Sequence, residues 1–348
     1  MIRIVFALLL ALLATESADA AGTILRAKQT LNYLSVENTL VKNPTGPFGI
    51  FLGPFNKGIY ATGTDYSQSA AYDNANWPNS VTMQWSWPTA SAVANVSVTN
   101  LSSTLTVNSI TSGTLYIGQN IAGLTGIPSS TKLGSQITGS PLSTGTYHMV
   151  NSSNVAVNAT QNNTGSASFA TCAGICGFYQ LSHGNYFGTP VQTPITPRQI
   201  SAITTLSCTH SLTFGGSLDQ FDSIYDFFLT AAANDNTPQF EIEIFLHTPS
   251  YSQSYINSVT QIGTTTISGI TWQVAKDPTA GLGPDFLFAP TNYADVANAT
   301  IDIKAMLNYL VTQGQVTSAK YYNGHSIGIE PASGKGRVVV NSYGCTYN

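Results

Sequence analysis

The chain has 348 residues, of which only 8% are charged, and its formal net charge is −4. Ordinary globular domains carry about 25% charged residues, so hydroxyl, amide and aromatic side chains supply the polarity here. The sequence has no basic run, which argues against nucleic acid or an anionic membrane as a partner.

The first 20 residues have the organisation of a secretory signal. Arg3 precedes an apolar core at Ile4–Leu13, and Ala18–Ala20 forms an A-x-A cleavage site. The apolar run is too short to span a bilayer, and no later stretch is long enough. We therefore expect an exported, soluble protein that acts as a monomer.

The segment Thr30–Val81 predicts short strands and turns, followed by the strand VTMQWSW. Trp85 and Trp87 alternate onto one face of this strand together with Met83. Two interpretations remain open, namely packing in the core and a platform on which the apolar faces of sugars stack.

The composition changes after Pro88. Between Thr89 and Thr171 the only charged residue is Lys132, and short apolar runs alternate with Gly turns. We predict that residues 96–169 form a small β module inserted into a loop of a domain built from residues 21–95 and 170–348. Exposed loops accept such insertions when the ends of the module lie close together.

Two neighbouring segments, Ser223–Leu229 and Gln239–His247, alternate apolar and polar residues as half-buried strands do. As an antiparallel hairpin they place Asp226 opposite Glu241, with Glu243 on the same face. For a lone strand, a solvated face explains such acids. Three acids on one face favour a site, because crowded carboxylates raise one another's pKa.

A further acid, Glu330, lies at the end of a short strand in HSIGIEPASGKG. Pro331 closes this strand because it cannot donate to the ladder.

Upstream, apolar residues recur at helical spacing within Ile301–Leu310, with Thr300 as a possible cap and Gly314 as the stop. This pattern predicts a single amphipathic helix packed on the outside of the sheets.

The four cysteines are Cys172, Cys176, Cys208 and Cys345. An even number in an exported chain favours disulfides. The first two are close enough to pin a small loop, which leaves Cys208 with Cys345. Three pairings are nevertheless possible, and the spacing argues against a metal site.

The segments YDFFL, FEIEIFL and GIEPASGKG, in this order, resemble the landmarks of glycoside hydrolase family 12. A W-x-hydrophobic strand (Gly269–Val274) and the predicted helix fall between the last two, as in that family. The resemblance covers Gly177–Tyr343 and, more loosely, Pro47–Trp87. It implies an all-β jelly-roll sandwich of two antiparallel sheets with one helix, and a secreted enzyme that hydrolyses β-glucans without a metal or cofactor.

The resemblance also implies roles for three acids. Glu241 would be the nucleophile, Glu330 the acid/base, and Asp226 the residue that hydrogen bonds to Glu241 and holds its orientation and charge. Such a trio fits a retaining glycosidase, which needs one ionised and one protonated carboxyl group.

Three positions depart from the family pattern. Glu243 stands in place of a Met, Phe245 in place of a Trp, and Ala332 in place of a Phe. We expect Glu243 to add negative charge to the cleft and to raise the pKa of a neighbour, which would shift the activity optimum upward in pH. The predicted substrate-binding residues are Trp85, Trp87, Glu243, Phe245 and Asn56.

The sequence therefore predicts a retaining endo-β-1,4-glucanase acting on a neutral β-glucan such as cellulose, mixed-linkage glucan or xyloglucan. Two other classes remain open. One is a non-catalytic glycan-binding protein on the same scaffold, although binding alone does not need the three acids. The other is a surface adhesion protein in which the inserted module is the working part.

Overall fold

In the computed structural model, the described residues are 32–89, 91–172, 174–187 and 189–348. The predicted signal sequence lies outside these residues. Within them, neither α-helix has both the length and the apolar character needed to cross a membrane.

Strands dominate the structure. Before the predicted insertion they are β1 (Asn32–Leu34), β2 (Leu40–Lys42), β3 (Phe48–Gly53), β4 (Ser67–Tyr72) and β5 (Val81–Ser86). The next six are β6 (Ala92–Val98), β7 (Thr104–Gly113), β8 (Asn120–Ala122), β9 (Lys132–Gly139), β10 (Gly145–Val150) and β11 (Asn163–Ala170). The strands up to the acidic hairpin are β12 (Phe178–Tyr186), β13 (Thr189–Pro190), β14 (Arg198–Gln199), β15 (Leu206–Gly216), β16 (Phe221–Thr230) and β17 (Pro238–His247). The strands after it are β18 (Thr260–Ile267), β19 (Ile270–Asp277), β20 (Asp285–Pro290), β21 (Asn298–Asp302), β22 (Tyr321–Tyr322), β23 (Gly324–Pro331) and β24 (Lys335–Tyr347).

Two sheets pack face to face and form a jelly-roll sandwich. The smaller sheet has the order β1-β4-β5-β24-β15-β21, and the main path of the larger sheet is β18-β19-β20-β17-β16-β23-β12-β3-β2. Because side chains alternate along each strand, one face of each sheet supplies the core between them. Tyr225, Phe227, Ile242 and Ile244 lie in this core, as the alternation predicts, so the acids of the same strands lie on the opposite, open face of the larger sheet.

Strands β6 to β11 close into a separate six-stranded barrel in the order β10-β7-β6-β11-β8-β9. The barrel has its own core, which includes Val96, Leu105, Tyr147 and Phe169. It begins at Ala92 and therefore extends slightly beyond the predicted bounds of 96–169. The assignment of this barrel as an inserted domain remains our prediction.

The described part of the chain contains two α-helices, α1 (Ser250–Ser258) and α2 (Ile303–Thr312), where the sequence predicted one. Helix α2 is the predicted helix, but the carboxylate of Asp302 caps it by accepting a hydrogen bond from the Ala305 amide. The expectation of a Thr300 cap was therefore wrong. Gly314 follows the helix with a φ of +66°, which suits a residue without a Cβ.

Both disulfides join the cysteines that the shortest spacing favoured. Cys172 pairs with Cys176, and Cys208 pairs with Cys345. The first disulfide closes a short loop in the connection between β11 and β12. The second joins β15 to β24, which are neighbours in the smaller sheet.

Candidate active site

The register of the β16–β17 hairpin differs from the predicted one by two residues. Asp226 lies opposite Glu243, and Glu241 lies opposite Phe228. Because side chains repeat every two residues along a strand, this shift leaves all three acids on the predicted face. The correction therefore changes which acids are direct neighbours and leaves the shared face unchanged.

Six carboxylic acids lie on the open face of four adjacent strands. Glu330 on β23 is opposite Asp222 on β16, and Glu241 on β17 is opposite Asp285 on β20. The side chains of Asp222, Asp226 and Asp285 are each about 3–4% exposed, whereas the three glutamates keep part of their surface in contact with solvent. We call this set the acidic cluster; it comprises Asp222, Asp226, Glu241, Glu243, Asp285 and Glu330.

Every member of the acidic cluster holds its proton more strongly than an isolated carboxyl group. Burial raises the pKa of Glu241 to about 7 and that of Asp222 to about 6. Burial, followed by the charges of Asp222, Asp226 and Glu241, raises the pKa of Glu330 well above its ordinary value. The pKa values of Glu241 and Glu330 are therefore both raised, as is common for carboxyl groups in acid–base sites.

Asp226 shares the open face with Glu241 but lies opposite Glu243, so its proposed hydrogen bond to Glu241 remains a prediction. Its Oδ2 atom accepts a hydrogen bond from the Tyr186 hydroxyl on β12. Burial raises the pKa of Asp226 well above its ordinary value, and the charge of Glu241 raises it further. These two acids therefore interact electrostatically across the hairpin.

Glu330 is in direct contact with a second acid, Asp222. The Oδ2 atom of Asp222 accepts a hydrogen bond of 2.7 Å from the Ser252 hydroxyl on helix α1. Its Oδ1 atom is buried and has no N–H or O–H donor among the described residues. The hydrogen bond between the two carboxyl groups requires one of them to keep its proton; this contact lowers the pKa of Asp222 and raises that of Glu330, which favours Glu330 as the protonated partner.

Glu243, which the sequence predicted as a source of negative charge, lies among four other acids of the acidic cluster. Burial, followed by the charges of Asp285, Glu330, Glu241 and Asp226, raises the pKa of Glu243 well above its ordinary value. This raised pKa favours the protonated form of Glu243. The expectation that Glu243 shifts the activity optimum upward in pH remains a prediction.

The two tryptophans predicted to bind substrate lie in the core instead. Trp85 and Trp87 are each 3% exposed. Trp85 packs edge-on against Phe221, with ring centroids 4.8 Å apart, and Trp87 stacks on Tyr66 at 4.0 Å. The expectation of a stacking platform at these positions was wrong, because their strand turns this face toward the opposite sheet.

Phe245 is also buried, with 1% of its surface exposed, in a cluster that includes Ile224, Leu287 and Ile256 of helix α1. Its predicted contact with substrate was therefore wrong, since the unpredicted helix covers this end of the open face.

Asn56 donates a hydrogen bond of 2.7 Å from its side-chain amide to the Ile175 carbonyl. Its role in substrate binding remains a prediction.

Sequence reasoning missed Asp222, Asp285 and helix α1. Asp222 precedes Asp226 by four residues, so the period-two pattern already placed both on one face. Asp285 opens a buried strand and gives no such signal. Tyr251 and Ser252, which contact Asp222, lie on α1, whose sequence is polar and has no apolar stripe at helical spacing.

The residues described by the structure contain one group of potential metal ligands whose atoms lie within 4.8 Å of one another, namely His183, His325 and Cys345. Cys345 is bonded to Cys208 and has no thiolate to offer. The two ring nitrogens of His325 contact the hydroxyls of Tyr322 and Tyr343. The disulfide and these two hydrogen bonds therefore account for Cys345 and for both ring nitrogens of His325.

A sandwich of two packed sheets with an acidic open face places the protein in the broad structural class of β-jelly-rolls. Within that class, the family model of glycosyl hydrolase family 12 matches residues 143–348. This match spans more than half of the chain, so the protein belongs to glycosyl hydrolase family 12. The resemblance noted in the sequence is thereby confirmed.

The curated relatives that the chain matches share part of their length with it. The chain is 28% identical over 144 residues to xyloglucan-specific endo-beta-1,4-glucanase A of Aspergillus niger, a match that covers 40% of this chain and 56% of that protein. With the Aspergillus aculeatus enzyme of the same name it shares 26% identity over 154 residues, or 42% and 61% of the two chains. The chain thus spans little more than half the length of these relatives.

Solved structures show the same fold. A family 12 xyloglucanase from Bacillus licheniformis aligns with a TM-score of 0.56 at 15% identity, covering 91% of this chain and all of that one. Endoglucanase 3 of Trichoderma harzianum aligns with a TM-score of 0.53 at 15% identity, covering 93% of this chain and all of that one. These similarities confirm the predicted all-β jelly-roll sandwich.

Proposed function

We propose that this protein is a secreted, retaining endo-β-1,4-glucanase. The observation that carries the proposal is the arrangement of Asp226, Glu241 and Glu330 on one open sheet face in a member of glycosyl hydrolase family 12. Export rests on the signal-like sequence of Met1–Ala20. The substrate is a neutral β-glucan, and its cleavage requires no metal or cofactor.

In the first half of the reaction, Glu241 attacks the anomeric carbon and forms a covalent glycosyl-enzyme. The attack needs the ionised carboxylate, and burial raises the pKa of this group to about 7. Activity is therefore expected to fall as the pH drops below about 7, because protonation removes the nucleophile. Asp226, held by Tyr186, orients Glu241 from the neighbouring strand.

Glu330 supplies the proton that the leaving oxygen needs and then activates the water that releases the product. This role needs a group that keeps its proton while Glu241 is ionised. Burial and the neighbouring carboxylates give Glu330 that property. Activity is therefore expected to fall again at a pH above the pKa of Glu330, which produces a bell-shaped profile.

The choice of a neutral glucan rests on the surface chemistry of the chain. Few charges and many hydroxyl, amide and aromatic groups suit a ligand that carries hydroxyl groups and no charge. With Trp85 and Trp87 in the core, Phe55 is an aromatic ring available for sugar stacking, since it is 60% exposed and lies two residues after the end of β3 in the larger sheet. The names of the Aspergillus relatives make xyloglucan the first substrate to test.

The proposal is tested by reducing-sugar release from carboxymethyl-cellulose, mixed-linkage glucan and xyloglucan. Release from at least one polymer is expected, with the β-anomer formed first in NMR spectra because two displacements retain the configuration. An α-anomer formed first would exclude the retaining mechanism. Failure to cleave any of the three polymers would overturn the proposed activity.

The contact between Asp222 and Glu330 gives a prediction about pH dependence. Asp222→Asn removes the carboxylate that helps to raise the pKa of Glu330, so this pKa should fall. Because activity needs Glu330 protonated, the alkaline limb of kcat/KM should move to lower pH, by about one unit. Profiles of kcat/KM against pH, measured between pH 5 and 10, check this prediction. If activity falls equally at every pH and the alkaline limb does not move, Asp222 has only a structural role.

The state of Glu243 gives a second pH prediction. Glu243→Gln replaces a protonated carboxyl group by a neutral amide of the same shape, so the acidic limb of kcat/KM should stay in place. If Glu243 carried a charge, the same variant would lower the pKa of neighbouring acids and move the acidic limb to lower pH. Comparing the two profiles under one buffer series decides between these states.

A further inference from the structure

A cavity of about 740 Å³ lies immediately beyond Glu330, and several parts of the chain that are distant in sequence line it. Its size falls within the range of about 300–1,000 Å³ that is usual for small-ligand sites. Helix α1 contributes Ser250 and Tyr251, and the loop after β23 contributes Ala332 and Ser333. The cavity therefore lies at the same strand ends as the proposed acid/base.

Tyr251 connects this cavity to the acidic cluster. Its hydroxyl donates to the backbone carbonyl of Glu330 at 3.2 Å and lies 3.4 Å from Oδ2 of Asp222. The same side chain lines the cavity. Tyr251 therefore contacts both the cavity and the backbone of the proposed acid/base.

The base of the barrel forms another wall of the cavity. Ser91, which precedes β6, and Ala170, which ends β11, both line it. The chain then continues to Cys176, whose amide donates to the Pro331 carbonyl at 2.6 Å. Since Pro331 follows Glu330 directly, the base of the barrel is linked by covalent and hydrogen bonds to the segment that holds the acid/base.

The chemistry of the cavity suits a neutral, hydroxyl-bearing ligand. Serine and threonine hydroxyls and the amide of Gln220 provide donors and acceptors, and Asp219 is the one ionisable acid among the lining residues. Leu218 is 46% exposed and offers an apolar surface to the face of a sugar ring. A lining of this kind matches a glucose unit better than it matches a charged molecule.

From this arrangement we propose that the barrel base and helix α1 together form a binding site for the leaving-group sugars of the glucan. The proposal rests on the proposed function, because it takes Glu330 as the group that protonates the leaving oxygen. The sugar bonded through that oxygen lies beside Glu330, and the cavity is the adjoining space. The barrel would then be a substrate-binding element of the enzyme.

The test uses two variants, Ser91→Trp and Ser250→Trp, each of which places a large side chain in the cavity from a different wall. Each variant is assayed on a polymeric glucan and on an aryl β-cellotrioside, whose small phenol leaving group does not need the cavity. The ratio of kcat/KM for the polymer to that for the aryl substrate is expected to fall about tenfold in both variants, since uniform binding of leaving-group sugars is lost. Ser166→Trp, on the outer surface of the barrel, should leave the ratio unchanged.

An unchanged ratio in both cavity variants would overturn the proposal, as would an equal fall in the Ser166→Trp control. If the unmodified protein cleaves neither substrate, the proposed function fails. The proposal that the cavity binds glucan is then tested separately, by measuring affinity. Titration calorimetry with cellohexaose should then show weaker binding to Ser91→Trp and Ser250→Trp than to the unmodified protein. Equal affinity, or no binding by any of them, would rule the site out.

Discussion

Glu241→Gln is expected to lower kcat/KM on a polymeric β-glucan by about 10³-fold or more, which corresponds to about 4 kcal/mol of transition-state stabilisation. The amide has the shape of the carboxyl group and cannot form the glycosyl-enzyme. The loss should be as large on an aryl β-cellotrioside, because the nucleophile is needed whatever the leaving group is. Reducing-sugar release and phenol release measure the two cases.

Glu241→Ala gives a sharper assignment of the nucleophile, because it opens space on the face from which Glu241 attacks. Added azide should enter that space, restore cleavage of an activated aryl substrate and give the α-glycosyl azide by a single displacement. Asp235→Asn, on the exposed turn between β16 and β17, is a control remote from the acidic cluster. A β-glycosyl azide from the Glu241→Ala variant would contradict the assignment of Glu241 as nucleophile.

Glu330→Gln should produce a loss that depends on the leaving group. A sugar needs a proton as it departs, so cleavage of the polymer should slow by about 10²–10⁴-fold, the usual contribution of general acid catalysis. A dinitrophenolate leaves without a proton, so formation of the glycosyl-enzyme from a dinitrophenyl cellotrioside should slow far less. Pre-steady-state release of dinitrophenol is expected as a burst, since the later attack by water still lacks its base.

The products of azide trapping separate Glu330 from Glu241. In Glu330→Ala, azide should attack the accumulated glycosyl-enzyme and give the β-glycosyl azide. The pH profile adds a second readout, since the alkaline limb should disappear with the group that causes it. Equal losses on dinitrophenyl and polymeric substrates would contradict a role for Glu330 in proton transfer.

Much of the acidic cluster could be predicted because strand periodicity is a local property. The alternation in β16, β17 and β23 assigned Asp226, Glu241, Glu243 and Glu330 to one face without any knowledge of their neighbours. The register of the hairpin, by contrast, depends on how the two strands pair and cannot be read from either strand alone. The connection between the strands and a bulge between Leu229 and Thr230 set the pairing, so Asp226 faces Glu243 instead of Glu241.

Substrate-contacting residues were predicted less well, because exposure depends on what covers a side chain. Trp85 and Trp87 have the same pattern whether their face meets water or the second sheet. Phe245 lies on the open face as predicted, but Ile256 of helix α1 packs over it. That helix is short and polar, and its stability comes from contacts such as the hydrogen bond from Ser252 to Asp222.

The sequence by itself determined the alternating strands, the family and the common face of the three proposed catalytic acids, since each depends on residue order alone. Only the tertiary structure decided how tightly these acids hold their protons, because burial and the approach of Asp222 to Glu330 come from strand pairing and from α1. It also decided that the barrel base and α1 meet beside Glu330. These contacts join segments more than 70 residues apart, and a local pattern carries no information about such distances.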